Sequence, residues 1–187
     1  MRIIAGAAKG RRLAVPAGSD VRPTADRVKE ALFSSLAPQL VGANVLDLFA
    51  GSGALGLEAA SRGAAAVTLV ERDRAALRAI DTNVEAAALK GIRVLAVDAR
   101  EAVAQPLADA PFDLVLADPP YAFAPEQLDE LLTQLAPQLS AGATAVIERD
   151  RRSTPPAWPD GFEPDSSRRY GDTILHRARW RPTTVEE

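Results

Sequence analysis

Asn44-Val45-Leu46-Asp47-Leu48-Phe49-Ala50-Gly51-Ser52-Gly53-Ala54-Leu55-Gly56 reads as a buried strand, a glycine-rich turn and the start of a helix. The apolar run has the pattern of a strand covered on both faces. The turn fits G-x-G-x-x-G, whose glycines permit a tight bend and close backbone approach to a nucleotide-like ligand. The helix is expected to reach Arg62, with Gly63 as its stop. Outward from this unit, strand and helix patterns alternate. Strands are expected at residues 66–70, 92–97, 112–117 and 143–148, and helices at 74–90, 100–105 and 125–136. Residues 153–164, rich in proline and polar side chains, read as a loop. Residues 168–171 and 173–180 read as two closing strands. The alternation predicts an α/β fold: a doubly wound sheet of about seven strands, helices on both faces, with an antiparallel strand introduced by the last hairpin.

Acids stand where ligands of such a sheet bind, at the carboxyl ends of strands. Asp47, four residues before Gly51, would repel a pyrophosphate and welcome a cationic amino group or sulfonium. That points to S-adenosylmethionine rather than a dinucleotide, although a carboxylate that only binds loop amides would look the same. Glu71 is placed to accept ribose hydroxyls. Asp98, beside Ala99, suits either the adenine amino group or the N-cap of the next helix. Phe49, Gly51 and Gly53 complete the candidate cofactor contacts along the loop.

Asp118-Pro119-Pro120-Tyr121 ends the next apolar strand. The prolines fix φ and remove two backbone donors. What remains is a rigid edge that accepts hydrogen bonds, with an aromatic face beside it. Such an edge suits a planar amine like the exocyclic NH2 of a nucleobase. A plain strand end with a proline turn is the simpler alternative.

At 187 residues, with 47% hydrophobic content, the chain is expected to form one domain of ordinary core. No apolar run is long enough for a transmembrane helix and no leader pattern opens the chain, so a cytoplasmic protein is expected. The absence of cysteine excludes a disulfide framework, a thiolate metal site and a cysteine nucleophile. With a single histidine, His176, no metal is expected. Net charge is −3, unevenly spread. Residues 1–29 carry seven Lys+Arg against two Asp, while residues 30–187 carry 15 against 23. The basic arm, with Arg2, Lys9, Arg11, Arg12, Arg22 and Arg27, has the look of an RNA footprint on an acidic domain. Residues 2–5 and 11–15 flank a turn from Gly6 to Gly10 and read as a β-hairpin. We therefore divide the chain into a hairpin extension, 1–22, and a main domain, 23–187. In the helix that opens the main domain, Thr24 is the expected N-cap, and Val28, Ala31, Leu32 and Leu36 form its apolar stripe.

With these motifs in hand, the chain resembles the class I S-adenosylmethionine-dependent methyltransferases. More narrowly, it resembles the bacterial 16S ribosomal RNA guanine-N2 methyltransferase family. The resemblance rests on Arg2-Ile3-Ile4-Ala5-Gly6, Lys9-Gly10-Arg11-Arg12-Leu13, Arg22-Pro23-Thr24-Ala25-Asp26-Arg27, the glycine loop, Asp118-Pro119-Pro120-Tyr121 and Tyr170-Gly171-Asp172-Thr173. It implies a Rossmann-like sheet with the last strand antiparallel. It implies 16S RNA in the small ribosomal subunit as substrate and S-adenosylhomocysteine as product; a monomer is the default expectation, with no metal and no membrane expected from composition. It also implies that Thr24 and Arg27 lie against the cleft, where they could grip the methionine carboxylate or an RNA phosphate. Asp118 and the Pro119 carbonyl would accept the amine hydrogens, with Pro120 and Tyr121 completing the catalytic set. An adenine-N6 methyltransferase, a dinucleotide oxidoreductase and a non-catalytic RNA-binding protein remain the alternatives.

Overall fold

The computed structural model describes residues 1–16 and 23–182, and the side chains of residues 23–25 lie outside that description. The order of elements is α1 (Pro23–Leu40), β1 (Asn44–Leu48), α2 (Ala54–Ser61), β2 (Ala66–Val70), α3 (Arg74–Ala87), β3 (Ile92–Leu95), α4 (Ala99–Val103), β4 (Phe112–Ala117), α5 (Pro125–Leu135), β5 (Leu139–Asp150), β6 (Phe162–Tyr170) and β7 (Thr173–Trp180). The seven strands form one sheet in the order β3-β2-β1-β4-β5-β7-β6. β1 to β5 are parallel, and β7 runs antiparallel to both β5 and β6.

Period-two alternation within the strands sorts side chains to the two faces. On one face Val45, Leu114, Leu116 and Val146 pack with Phe33, Leu36 and Leu40 of α1, Ala59 of α2 and Ile80 of α3. On the other, Leu46, Leu48, Val115, Ala117 and Ile147 pack with Val103 of α4 and Leu128, Leu131 and Leu132 of α5. The result is the expected doubly wound sandwich. Among the described residues no helix is long and apolar enough to cross a membrane.

Several boundaries differ from expectation. α1 starts at Pro23, so Thr24 falls inside the first turn rather than at the N-cap, and Pro23 occupies the first helical position that proline favours. α3 stops at Ala87 because Ala88 turns left-handed at φ 51°, three residues before Gly91. β3 ends at Leu95, two residues early. β6 begins at Phe162, inside the region read as loop. It is an edge strand with a register shift between Pro164 and Ser166, and an edge or bulge is where a strand tolerates proline.

Residues 1–16 make a hairpin reduced to a single bridge, Arg2 with Arg12, closed by Ile3 N–H to the Arg11 carbonyl and Gly10 N–H to the Ile3 carbonyl, both 2.9 Å. Ile3, Ala8 and Leu13 bury against Leu57 of α2 and Ala87 of α3. The turn at Gly6 approaches the end of α2 so closely that a Cβ there would stand 1.8 Å from the Ser61 carbonyl oxygen. The hairpin is docked by the domain itself.

Candidate active site

β1 lies between β2 and β4, and the chain departs from it on one side and returns on the other. Crevices at such a switch point are the ligand sites of open α/β sheets. Register aligns the strand ends there: Leu48 pairs with Val70 and with Ala117, and Ala117 pairs with Ile147. The next residues are Phe49, Glu71, Asp118 and Glu148. Phe49, Glu71 and Asp118 border one cavity there, and Asp118 and Glu148 border another.

A cavity of about 380 Å³ opens at these strand ends, lined by Phe49, Glu71, Asp98, Ala99, Asp118, Pro120 and Phe123 among others. That size is ordinary for small-molecule sites, roughly 300–1,000 Å³. Phe49 is held at φ 60°, an uncommon conformation for a bulky residue. Its ring meets Phe123 edge to face, with centroids 5.0 Å apart, and the pair makes an apolar wall. Gly51 and Gly53, at φ 58° and 77°, turn the loop into α2.

The acids around this cavity have distinct partners. Glu71 accepts from Gly51 N–H at 2.8 Å and from Arg72 and Asp73 N–H at 2.7 Å, so it ties the glycine loop to the end of β2. A carboxylate has about four acceptor sites, which leaves room for a ligand hydroxyl. Asp98 caps α4 through Arg100 N–H at 2.9 Å and pairs with Arg72 at 2.8 Å. Partial burial pushes its pKa up, but the Arg100 amide and the two guanidinium groups outweigh this and hold it below the usual carboxylate value. Asp98 therefore fills the capping role while still facing the cavity. Asp47 does not line the cavity. It is 1% exposed, lies beneath the loop and accepts from Gly56 N–H at 2.8 Å. Burial raises its pKa to about 7 against the relief of that bond, with nearby Glu71 adding to the rise.

A second cavity of about 180 Å³ lies beyond Asp118. Asp118, Pro119, Pro120 and Tyr121 form one side, and Glu148, Arg149, Asp150, Ser153 and Thr173 form the other. Asp118 and Pro120 border both cavities. Asp118 is exposed toward the cavities, yet the protein packed around its carboxyl, then Glu148 and Asp47, push its pKa above its ordinary value, and Arg149 only partly offsets them. Burial raises Glu148 too, against a 3.3 Å hydrogen bond from Thr173 Oγ1. Arg149 is buried and reaches the Phe123 carbonyl at 3.2 Å, bracing the loop that carries Tyr121. Tyr121 itself is 72% exposed. An exposed flat ring with acceptors beside it in the same cavity can receive a planar amine.

Other expected residues lie elsewhere. Arg22 and the Thr24 side chain fall outside the described residues. Arg27 is exposed and lines neither cavity. Arg2, Lys9, Arg11 and Arg12 are exposed on the hairpin. His176 is buried against Ser167 Oγ at 2.9 Å and lines neither cavity. Sequence reasoning missed Phe123, Glu148 and Thr173. Glu148 carried a usable signal, an acid ending an apolar parallel strand, the same signature as Asp118.

The chain is similar to known proteins over most of its length. A family model described as "Conserved hypothetical protein 95" matches residues 1–179. Ribosomal RNA small subunit methyltransferase D of Escherichia coli K12 is 47% identical over 121 residues, 65% of this chain and 60% of its own length. The chain thus aligns with less than two thirds of that relative. A provisionally named rRNA methyltransferase of Bacillus subtilis is 39% identical over 155 residues, 81% of this chain and 83% of that one. A solved structure of a provisionally named Escherichia coli methyltransferase superposes with a TM-score of 0.86 and 34% identity, covering 98% of this chain and 99% of that one.

Proposed function

The chain belongs to the family described as conserved hypothetical protein 95, and from that premise we propose that it methylates the exocyclic N2 of a guanine in 16S ribosomal RNA, using S-adenosylmethionine. The observation that carries this reading is Asp118, standing between two cavities at the switch point of the sheet. The larger cavity takes the methyl donor and the smaller takes the base.

The residues of the larger cavity fit the donor. The Phe49–Phe123 wall receives the adenine, Glu71 accepts from a ribose hydroxyl and Asp98 with Ala99 borders the adenine edge. Gly51 borders open space that lets the backbone approach, Gly53 turns the loop against the core, and Asp47 beneath the loop carries negative charge toward a cationic ligand only as pH rises through about 7. S-adenosylmethionine supplies an electrophilic methyl carbon, whose bond to sulfur breaks with its electron pair as the bond to N2 forms, leaving neutral S-adenosylhomocysteine. Asp118 and the Pro119 carbonyl accept the two N–H bonds of the amine and direct its lone pair out of the ring system. They stabilise positive charge growing on nitrogen, and Asp118 is placed to take the proton that N2 gives up. Tyr121 stacks on the flipped base, worth roughly 1–3 kcal/mol. Pro120 stiffens the edge.

The docked hairpin presents Arg2, Lys9, Arg11 and Arg12 to RNA phosphates, with Arg22 and Arg27 following along the chain. The substrate is the RNA within an assembled or partly assembled small subunit, met in the cytoplasm by a monomer. The test is to incubate the protein with labelled S-adenosylmethionine and small subunits from cells lacking the modification, then identify the labelled nucleoside. N2-methylguanosine is expected. N6-methyladenosine would refute the base assignment. Thermal shift gives a second check: S-adenosylhomocysteine raises the melting temperature and NAD does not.

A further inference from the structure

Glu148 stands beside the amine-binding edge without a part in the reaction just described. Ala117 and Ile147 are paired in the parallel register of β4 and β5, so Asp118 and Glu148 follow as cross-strand neighbours. Adjacent strands are about 4.8 Å apart. Two acceptor side chains are therefore offered side by side to whatever enters the smaller cavity. Thr173 Oγ1 holds one Glu148 oxygen, Oε1, at 3.3 Å, and no protein donor bonds Oε2 among the described residues.

Two acceptor side chains lining one small cavity can converge on two adjacent donors on one edge of a base. The Watson–Crick edge of guanine carries N1–H next to N2–H2. Adenine and cytosine present an unprotonated ring nitrogen beside their amino groups, and its lone pair would face a carboxylate. We infer that Glu148 is a specificity-determining residue that accepts the N1–H of guanine while Asp118 accepts from N2. Asp118 then recognises an amine, and Glu148 recognises which base carries it. Groups that read a flipped base by its Watson–Crick edge do so through such bonds. A site built to bond one donor rejects an analogue that lacks it, because its own polar group is left unpaired.

This inference rests on the guanine-N2 reading above. Its test uses the full chain and small-subunit RNA, with guanine or 2-aminopurine at the position mapped by the labelling experiment, assembled with the small-subunit proteins. 2-Aminopurine keeps the exocyclic amine but has an unprotonated N1. The wild-type protein is expected to methylate guanine faster, by on the order of 10-fold to 100-fold. Glu148→Gln offers an amide that donates to the bare N1, so the preference narrows at least about 10-fold. S-adenosylhomocysteine still raises the melting temperature of the variant, which shows the fold and the larger cavity intact. Glu148→Asp, whose shorter acid draws back from N1, also narrows the preference. A wild-type preference retained in both variants overturns the role of Glu148. Failure of the wild-type protein to label guanine in any small subunit overturns the amine reading itself, and this inference with it.

Discussion

Asp118 borders both cavities, and its ionisation governs what it can accept. Its pKa is raised by desolvation from the surrounding protein and by Glu148 and Asp47, so it becomes protonated at a higher pH than an ordinary aspartate even though one face stays exposed. Activity is therefore expected to fall, as pH is lowered, on a limb above the usual carboxylate range. Glu148→Gln removes one source of the rise, and the limb moves to lower pH; a pH–rate profile that does not move would refute the coupling. Asp118→Ala removes one electrostatic contact made in the transition state and is expected to slow turnover by roughly 10²–10³. Near-normal turnover of that variant on small subunits would overturn the mechanism. Asp47 gives an opposite trade between stability and function. Its folded-state pKa of about 7 lies above its ordinary value of 3.8. The stability tied to its neutral form is complete below the ordinary value and is lost as pH climbs through 7, at a cost of up to about 4 kcal/mol. Asp47→Asn keeps an oxygen for Gly56 N–H and does not titrate. It is expected to melt higher than wild type at pH 9, with a smaller difference at pH 5, while binding the methyl donor more weakly. Melts that differ equally at both values would exclude the burial argument. Asp47 and Asp118 were legible in the sequence because acids break apolar strands. The burial of Asp47 was not, because it depends on how α2 packs over β1.

The hairpin shows how one side chain fastens an element. Glu58, the one charged residue of α2, is 0% exposed and accepts from Ile4 N–H at 2.7 Å, Ala5 N–H at 3.1 Å and Arg62 Nε at 2.7 Å. Lys29 approaches it at 3.7 Å and donates to the Arg2 carbonyl at 2.6 Å. Burial lowers the Lys29 pKa and Glu58 opposes that shift. Glu58→Ala leaves Lys29 buried without its counter-charge and two hairpin amides without an acceptor. Breaking a buried pair in this way costs about 3–5 kcal/mol. Hydrogen exchange is expected to accelerate across residues 1–13, and the melting temperature to fall; a hairpin as protected as in wild type would show that apolar packing alone docks it. The sequence displayed the hairpin through its glycines and alternation, and it counted Lys29 among the basic residues of an RNA arm. The lone acid at Glu58 was the available clue that Lys29 faces inward. The long edge strand β6 was hidden for a different reason: Pro164 reads as loop unless its place at the sheet edge is known.

Across the whole molecule, strand alternation was readable because a parallel sheet needs helical crossovers, and each crossover left an apolar period. The meeting of Asp118 and Glu148 in one cavity was not readable, since it arises only when α5 returns the chain to lay β5 beside β4. The same folding separates charge. The first 29 residues carry an excess of basic side chains and the rest an excess of acidic ones. The hairpin is fixed to the domain through Glu58, and also through Asn83 of α3, which bonds both the Ala14 carbonyl at 2.9 Å and the Ser52 carbonyl of the glycine loop at 2.8 Å. Its basic residues thus keep one fixed position relative to the loop of the larger cavity. If they contact phosphates, each contact releases counterions, and binding weakens with salt in proportion to their number. Arg11→Ala with Arg12→Ala is expected to weaken small-subunit binding and to lower the slope of log affinity against log salt by about 1–2. Both side chains are exposed, so the melting temperature and its rise with S-adenosylhomocysteine stay near wild type. Titrations over a range of potassium chloride measure the slope directly. A weaker affinity with an unchanged slope would mean that the arginines touch RNA bases or protein rather than phosphates. An unchanged affinity would move the RNA footprint away from the hairpin, to the exposed Arg168 and Arg169 of the closing strands.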